Sequence, residues 1–225
     1  MEKFICFLAI LATCCASPQD LSGKVFTFPA ESNTAHVRLI PTRGNFSSVT
    51  VCLRYFTDLT RNQVLFSLAT PSHSNGFLLF KSNTGGQLNI FVQNQDVVFH
   101  ELLDEKNSWV SVCGTWESGS GLVQPWINGK PGSRKQGPRD VLDGAPIIIV
   151  GQEQDSFGGG FDAGQSFVGL LADVHMWDYV LSYCEITRFA NDDNFTPGNI
   201  LNWRALEFNS VGNVVVENRT PEYCF

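Results

Sequence analysis

The stretch IIIVGQEQDSFGGGFDAGQSFVGLLADVHMW, residues 147–177, decides the fold. It begins with an uninterrupted apolar run, 147–150, of the kind that forms a buried strand. Residues 151–166 then combine glycines, glutamines and carboxylates, a composition that favours neither helix nor strand. Apolar and β-branched residues return over 167–177 and predict a second strand. The sequence therefore predicts two core strands joined by a loop that is rich in side-chain oxygen atoms.

Shorter segments with strand character lie on both sides of this stretch. Residues 24–28, 49–56 and 88–92 are rich in β-branched and aromatic residues and are bounded by turn formers. An Asn-Gly pair at 128–129 suits the positive φ angles of a tight hairpin turn. Only residues 182–191 have a helical pattern, with a capping serine and a glutamate three residues later. Many short strands with one helix indicate an all-β sandwich of the jelly-roll type.

Residues 1–16 have the features of a secretory signal peptide. A lysine precedes an apolar run, and small residues end at Ala16, where we expect cleavage. No later run reaches the roughly 20 apolar residues of a membrane-spanning helix, so residues 17–225 are predicted to be one secreted, extracellular domain without a transmembrane segment. The formal net charge of −7 argues against a nucleic-acid partner held by general electrostatics.

Four cysteines remain in the predicted mature chain: Cys52, Cys113, Cys184 and Cys224. An exported chain favours disulfides over metal ligation, and four cysteines allow three pairings. Cys52 and Cys113 each lie in an alternating apolar run, as cysteines that link two strands do, which favours their pairing. Cys184 and Cys224 then join the helix start to the C-terminal tail, or else join neighbouring protomers.

Three asparagines fit the acceptor pattern for N-glycosylation, Asn-X-Ser/Thr, which an exported chain makes available. They are Asn45, Asn194 and Asn218.

The oxygen-bearing residues of the loop have the pattern of a calcium site. Calcium takes roughly six to eight oxygen ligands from carboxylates, amides and backbone carbonyls, and it accepts irregular loops. Glu153 and Asp155 are two positions apart and point the same way in an extended segment, with the carbonyl of Gln154 between them. After a run of three glycines the chain returns with Asp162 and Gln165. The loop is therefore predicted to bind calcium.

Two other interpretations of this loop stay open at this point. It can be a solvated acidic surface loop without a ligand, or Glu153 and Asp155 can be the paired carboxylates of a glycan hydrolase. Carboxylates at i and i+2 on one loop, however, more naturally share an ion than face each other across a sugar. The sequence contains no nucleophile elbow, phosphate-binding loop or metalloprotease helix motif, and we expect no enzyme.

Several ordered motifs resemble those of one protein family. The loop reads GQEQDSFGG at 151–159 and QSFVG at 165–169. CGTWES occurs at 113–118, WING at 126–129 and NILNWRAL at 199–206. Together these motifs resemble the short pentraxins over nearly the whole predicted mature chain.

The resemblance implies a fold, an assembly and a class of ligand. The fold is a flattened jelly-roll sandwich of two antiparallel sheets with one α-helix on one face. The assembly is a cyclic homo-oligomer, usually a pentamer, and complement components are further partners. Two calcium ions in each protomer, on the face opposite the helix, hold phosphocholine, phosphoethanolamine or anionic glycans on microbes and debris. The resemblance also implies the disulfide between Cys52 and Cys113.

The calcium ligands carry over by motif. The resemblance implies that Glu153 and Asp155 bridge both ions while Gln154 gives its main-chain carbonyl. It also implies that Asp162 and Gln165 complete the second site.

One further ligand pair departs from the family pattern. Asn75 is present, but Ser74 stands where the family has aspartate. A serine hydroxyl is a poor calcium ligand, so we expect a weakened first site in which calcium and phosphate depend strongly on each other. Phe80 is expected to be an apolar wall against choline, unless it is an ordinary core residue, and Asp96 is the candidate acid beside the choline cation.

These observations predict a secreted, calcium-dependent, lectin-like pattern-recognition protein of innate immunity and the acute phase. The alternatives from other classes are a sandwich-fold glycan hydrolase and a laminin-G-like adhesion module that binds no ligand.

Overall fold

In a computed structural model of the protein, residues 17–100, 102 and 105–220 are described. The predicted signal peptide, residues 1–16, lies outside them, so that prediction stays untested. The described residues contain no helix that is both long enough and apolar enough to cross a membrane.

The described residues form short strands and one α-helix. The first eight strands are β1 (Lys24–Phe28), β2 (His36–Leu39), β3 (Ser48–Phe56), β4 (Gln63–Thr70), β5 (His73–Lys81), β6 (Leu88–Val92), β7 (Gln95–Phe99) and β8 (Val110–Glu117). The remaining elements are β9 (Leu122–Ile127), β10 (Lys130–Pro131), β11 (Lys135–Gln136), β12 (Ile147–Val150), β13 (Gly169–Trp177), α1 (Tyr183–Ala190), β14 (Phe208–Val211) and β15 (Val215–Asn218). Two short 3-10 helices lie at Ala163–Gln165 and Trp203–Ala205.

The strands form two antiparallel sheets, as the sequence predicted. The eight-stranded sheet has the order β10-β9-β8-β3-β13-β1-β15, with β11 paired to β9, and we call it the helix sheet. The seven-stranded sheet has the order β14-β2-β12-β4-β5-β6-β7, and we call it the loop sheet because the loop of residues 151–166 follows β12. The loop does join two core strands, but the strands belong to different sheets.

Alternation of side chains along the strands fills a core between the sheets. In β3, Val51 and Leu53 are fully buried in this core, whereas Cys52 and Arg54 point to the opposite face of the sheet. The helix α1 covers that outer face: its Phe189 belongs to a buried cluster that also contains Cys52. The sandwich therefore has one face covered by the helix, as expected, and one free of it.

The disulfide between Cys52 and Cys113 is confirmed. The two residues are directly opposite each other in the β3–β8 pairing, which places both sulfurs on the helix side of the sheet. The predicted hairpin turn is also confirmed, since Asn128 and Gly129 have φ angles of 50° and 75°. The helix is shorter by one residue at each end than predicted, because Ser182 and Asn191 serve as its caps.

Candidate metal and ligand site

The loop after β12 is held in place by two glutamines whose side chains are fully buried. Gln154 Nε2 donates to the backbone oxygens of Ser67 and Ile147, each at 3.1 Å. Gln152 Nε2 likewise donates to two backbone oxygens of the segment before β2. Gln154 Oε1 accepts a hydrogen bond from a glycine amide of the loop at 3.1 Å. The side chain of Gln154 is therefore committed to the protein, and its main-chain carbonyl is the oxygen it can offer to a ligand.

The carboxylates between and after these glutamines lie close to one another. Glu153 is 8% exposed, and Asn75 Nδ2 donates to its Oε1 at 3.4 Å. The pKa of Glu153 is raised to about 7, chiefly by burial and next by the charge of Asp155, while the hydrogen bond from Asn75 lowers it and the charge of Asp162 raises it. The structure thus places Glu153 in contact with Asn75 and within electrostatic range of Asp155 and Asp162, and the repulsion among these carboxylates favours a cation nearby.

The far end of the loop turns back through a short 3-10 helix. Asp162 caps it, with its Oδ1 accepting from the amide of Gly164 at 2.9 Å. Arg61 holds the same turn, because its Nη1 donates to the carbonyl oxygens of Ala163 and Gly164 at 3.2 and 2.8 Å. Arg61 therefore positions the helix in which Gln165 is the last residue.

Three buried amide oxygens in this region have no hydrogen-bond donor: Asn75 Oδ1, Gln152 Oε1 and Gln165 Oε1. Asn75 and Gln165 belong to the predicted calcium ligands, whereas Gln152 does not. A buried acceptor without a partner carries a desolvation penalty of about 1–3 kcal/mol, which a cation would remove. Carboxylate, amide and carbonyl oxygens are also the ligands that calcium prefers, so the residues present fit calcium.

The fit of this site to calcium depends on amide oxygens as much as on carboxylates. In the part of the chain that the structure describes, no group of three or more His, Cys, Asp or Glu side chains converges as a metal site. Ser74 lies in β5 directly before Asn75 and forms no side-chain hydrogen bond with any described residue. Its position adds no carboxylate, and the weakness of the first site stays a prediction.

Phe80 does not lie in the core between the sheets. Neighbouring Phe77 and Leu79 fill that core, while Phe80 is in a separate cluster with Leu78 and, at its edge, Phe91. The rings of Phe80 and Phe91 meet edge to face with centroids 6.5 Å apart. Both rings are therefore on the outer face of the loop sheet, where Phe80 is 9% exposed and belongs to a small buried cluster.

Asp96 lies on the same outer face. It is directly opposite Phe91 in the pairing of β6 with β7, and Asn89 Nδ2 donates to its Oδ2 at 2.9 Å. Burial raises the pKa of Asp96, against the lowering effect of the hydrogen bond from Asn89. The arrangement places two aromatic rings and one carboxylate together, a combination that suits an organic cation.

Comparison with known proteins identifies the family of the chain. A model of the pentaxin family matches residues 24–218. The chain belongs to the pentaxin (pentraxin) family. Among its relatives in this family, mouse serum amyloid P-component is 42% identical over 202 residues, which cover 89% of each chain. Human C-reactive protein is 42% identical over 219 residues, covering 95% of this chain and 96% of that protein.

A solved pentraxin structure shares the fold. The native heptameric SAP-like pentraxin from Limulus polyphemus superposes with a TM-score of 0.80 at 25% identity, covering 88% of this chain and 96% of that one. The jelly-roll prediction is confirmed.

The other residues singled out in this pentaxin chain are at the surface or beyond the described part. Cys184 is exposed in α1 and forms no disulfide with a described residue, while Cys224 lies outside the described residues, so their pairing stays a prediction. The three glycosylation candidates, Asn45, Asn194 and Asn218, are all exposed.

The sequence interpretation missed three residues that the structure places at the candidate site: Arg61, Asn89 and Phe91. Arg61 carries no local signal, because its partners follow it by about a hundred residues. Asn89 and Phe91 do carry a local sequence signal. Leu88 and Ile90 of β6 lie in the core, so alternation alone places Asn89 and Phe91 on the opposite face of the strand.

Proposed function

We propose that the chain is a secreted, calcium-dependent recognition protein that binds phosphate-bearing headgroups such as phosphocholine and phosphoethanolamine, or related anionic glycans. The observation that carries the proposal is the pair of buried, unpartnered oxygens, Asn75 Oδ1 and Gln165 Oε1, beside a buried carboxylate with a raised pKa. Such a cluster is destabilising by itself and becomes favourable when a cation occupies it. Membership of the pentaxin family supports a role in pattern recognition in innate immunity.

The calcium would supply positive charge to an anionic ligand, and this chain's residues would orient it. Glu153, Asp155, Asp162, Asn75, Gln165 and the carbonyl of Gln154 are the proposed ligands. Three carboxylates balance three of the four positive charges of two calcium ions. The remaining positive charge favours a phosphate or another anion in the completed site.

The aromatic cluster beside Asp96 is the proposed subsite for the cationic end of the ligand. Phe80 and Phe91 offer apolar surface and π faces, and Asp96 offers a negative charge held by Asn89. These contacts favour a trimethylated ammonium over a primary ammonium, since methyl groups gain from apolar contact. We therefore propose phosphocholine as the better ligand of the two.

We further propose that the chain assembles as a cyclic homo-oligomer. A heptameric state is reported for the Limulus relative, and a ring presents all its sites on one face. Single headgroup contacts are weak, but several sites on one ring raise the apparent affinity without any new contact.

The test is retention on phosphocholine-agarose and phosphoethanolamine-agarose in calcium, followed by elution with a chelator. We expect retention that EDTA reverses, and its loss in Glu153→Gln. Asp193→Asn is the matched control, because it removes one exposed carboxylate from the helix face and leaves the site intact.

Three results contradict the proposal. Retention that persists in EDTA shows that calcium is not involved. Failure of both resins to retain the protein in calcium favours a non-binding adhesion module. Turnover of a polysaccharide that Glu153→Gln abolishes favours a glycan hydrolase.

A further inference from the structure

A cavity of about 460 Å³ lies beside the C-terminal end of α1, away from the loop. Its lining comes from β1, β3, β13, the end of α1, the 3-10 helix Trp203–Ala205 and the residues after β15. None of these elements contributes a residue to the candidate calcium site. The volume falls in the range of about 300–1000 Å³ that is typical of sites for small molecules.

Two arginines build the wall of this cavity. Arg54 Nε lies 3.0 Å from a carboxylate oxygen of Asp173, and its Nη2 donates to the carbonyl oxygen of Phe189 at 2.6 Å. Arg219 Nη1 approaches the same oxygen of Asp173 at 3.5 Å. The hydrogen bond to Phe189 ties the end of the helix to the sheet, and the carboxylate of Asp173 is already paired with both arginines.

Two further cations of the lining form no salt bridge with a described residue, although Arg204 is within electrostatic range of the carboxylate of Asp20. Within the described residues, Lys24 and Arg204 form no ion pair. Lys24 Nζ donates to the amide oxygen of Asn218 at 2.5 Å, and the guanidinium of Arg204 lies over the ring of Phe195 with its carbon 5.8 Å from the centroid. The lining holds four basic side chains and two acidic ones, which leaves a charge of +2 on a chain whose net charge is −7.

The remaining lining is aromatic and closely packed. Trp203 and Phe189 are 1% and 0% exposed, and His175 is 2% exposed. Burial, together with the charge of Arg204, lowers the pKa of His175 to about 3, so its imidazole is neutral at physiological pH. The cavity thus combines an uncharged aromatic floor with a positive rim.

We propose that this cavity binds a small organic anion with an aromatic or other apolar body. Its acidic group, a carboxylate, phosphate monoester or sulfate ester, pairs with Lys24 and Arg204, and its apolar body contacts Phe195 and Trp203. Binding at this place needs no calcium, because no residue of the carboxylate loop takes part.

Phenyl phosphate is the probe, titrated into the full chain by isothermal calorimetry in the presence of EDTA. The chelator removes the calcium-dependent site, so the result does not depend on the function proposed above. We expect saturable binding of phenyl phosphate and no binding of benzyl alcohol, which has the ring without the charge.

The double variant Lys24→Gln with Arg204→Gln should weaken binding roughly tenfold, because it removes both cations of the lining that form no salt bridge. The matched control is Lys130→Gln with Arg134→Gln, which changes the net charge equally at the far edge of the helix sheet and should leave binding unchanged. Arg204→Gln alone, at an exposed position, gives a partial loss if the double variant fails to fold.

The absence of binding by the unmodified chain overturns the proposal. Equal losses in the two double variants also overturn it, since they indicate attraction by net charge rather than a site. Unchanged affinity in the variants of Lys24 and Arg204 has the same consequence.

Discussion

Replacing Glu153 by Gln should stabilise the calcium-free chain at neutral pH and destabilise the calcium-loaded one. The pKa of this carboxyl is raised from 4.5 to about 7, so the folded chain holds a proton that the unfolded chain releases between these pH values. The free energy of unfolding therefore falls as the pH rises from about 4.5 to 7, and the full penalty applies above that range. Glutamine keeps the acceptor for Asn75 and carries no charge.

The size of the effect follows from the shift. A difference of 2.5 units, 7 minus 4.5, corresponds to about 3 kcal/mol at 1.36 kcal/mol per unit. We expect about 2 kcal/mol, because the carboxyl retains some contact with solvent. For a domain of this size that corresponds to a rise of roughly 4–8 °C in the midpoint of thermal unfolding.

The assay is thermal unfolding followed by circular dichroism in EDTA at pH 4.5 and at pH 8. Glu153→Gln should exceed the unmodified chain by the full amount at pH 8 and by little at pH 4.5. Excess calcium at pH 8 should reverse the order, because it stabilises only the chain with the complete site. Asp193→Asn serves as the control and should show no such pH dependence. A Gln variant that is less stable at pH 8 in EDTA, or a difference that is equal at both pH values, would refute the reasoning.

Three further predictions concern ligand binding and the remaining cysteines. Ser74→Asp should tighten calcium binding about tenfold or more and make it less dependent on phosphocholine. The control Ser72→Asp, at the exposed turn before β5, should do neither. Equal calcium affinity with and without phosphocholine in the unmodified chain would contradict the expected mutual dependence of calcium and phosphate. Phe91→Ala should weaken phosphocholine binding by roughly tenfold and phosphoethanolamine binding less, measured by calorimetry in calcium, and an equal loss for both ligands would count against the aromatic subsite. If the unmodified chain shows a covalent dimer in non-reducing electrophoresis, Cys184→Ser should show only a monomer band. A monomer band for both chains excludes a disulfide between protomers. Mass analysis then tests the disulfide between Cys184 and Cys224 within one chain.

The strands and the helix were predictable because their signals are local. The runs at 24–28 and 88–92 are the observed β1 and β6, residue for residue. The strand β10 follows from the predicted hairpin at 128–129. The two-residue strand β11 was missed, because so short a pairing depends on the position of β9 rather than on its own composition.

The candidate site was predictable in part for a similar reason. Glu153, Asp155 and their neighbours occupy one loop, so their proximity is visible in the sequence. The arginine that holds the loop, Arg61, comes from another strand connection and makes its contacts only after the sheets have formed. The cavity beside α1 was not visible at all, because its lining residues belong to elements scattered over the whole chain.

The structure also explains why a loop with so many carboxylates stays in place. Its two glutamines face inward: Gln154 bonds to the backbone of the loop sheet and Gln152 to the backbone of the segment before β2, while Glu153 and Asp155 alternate with them. The position of the loop therefore depends on uncharged hydrogen bonds, and the charge repulsion falls on side chains that share one cluster. Removal of a cation from such a cluster changes the charge balance without removing the anchors. We therefore expect the proposed calcium, and with it the anionic ligand, to be lost and regained while the jelly-roll core remains folded.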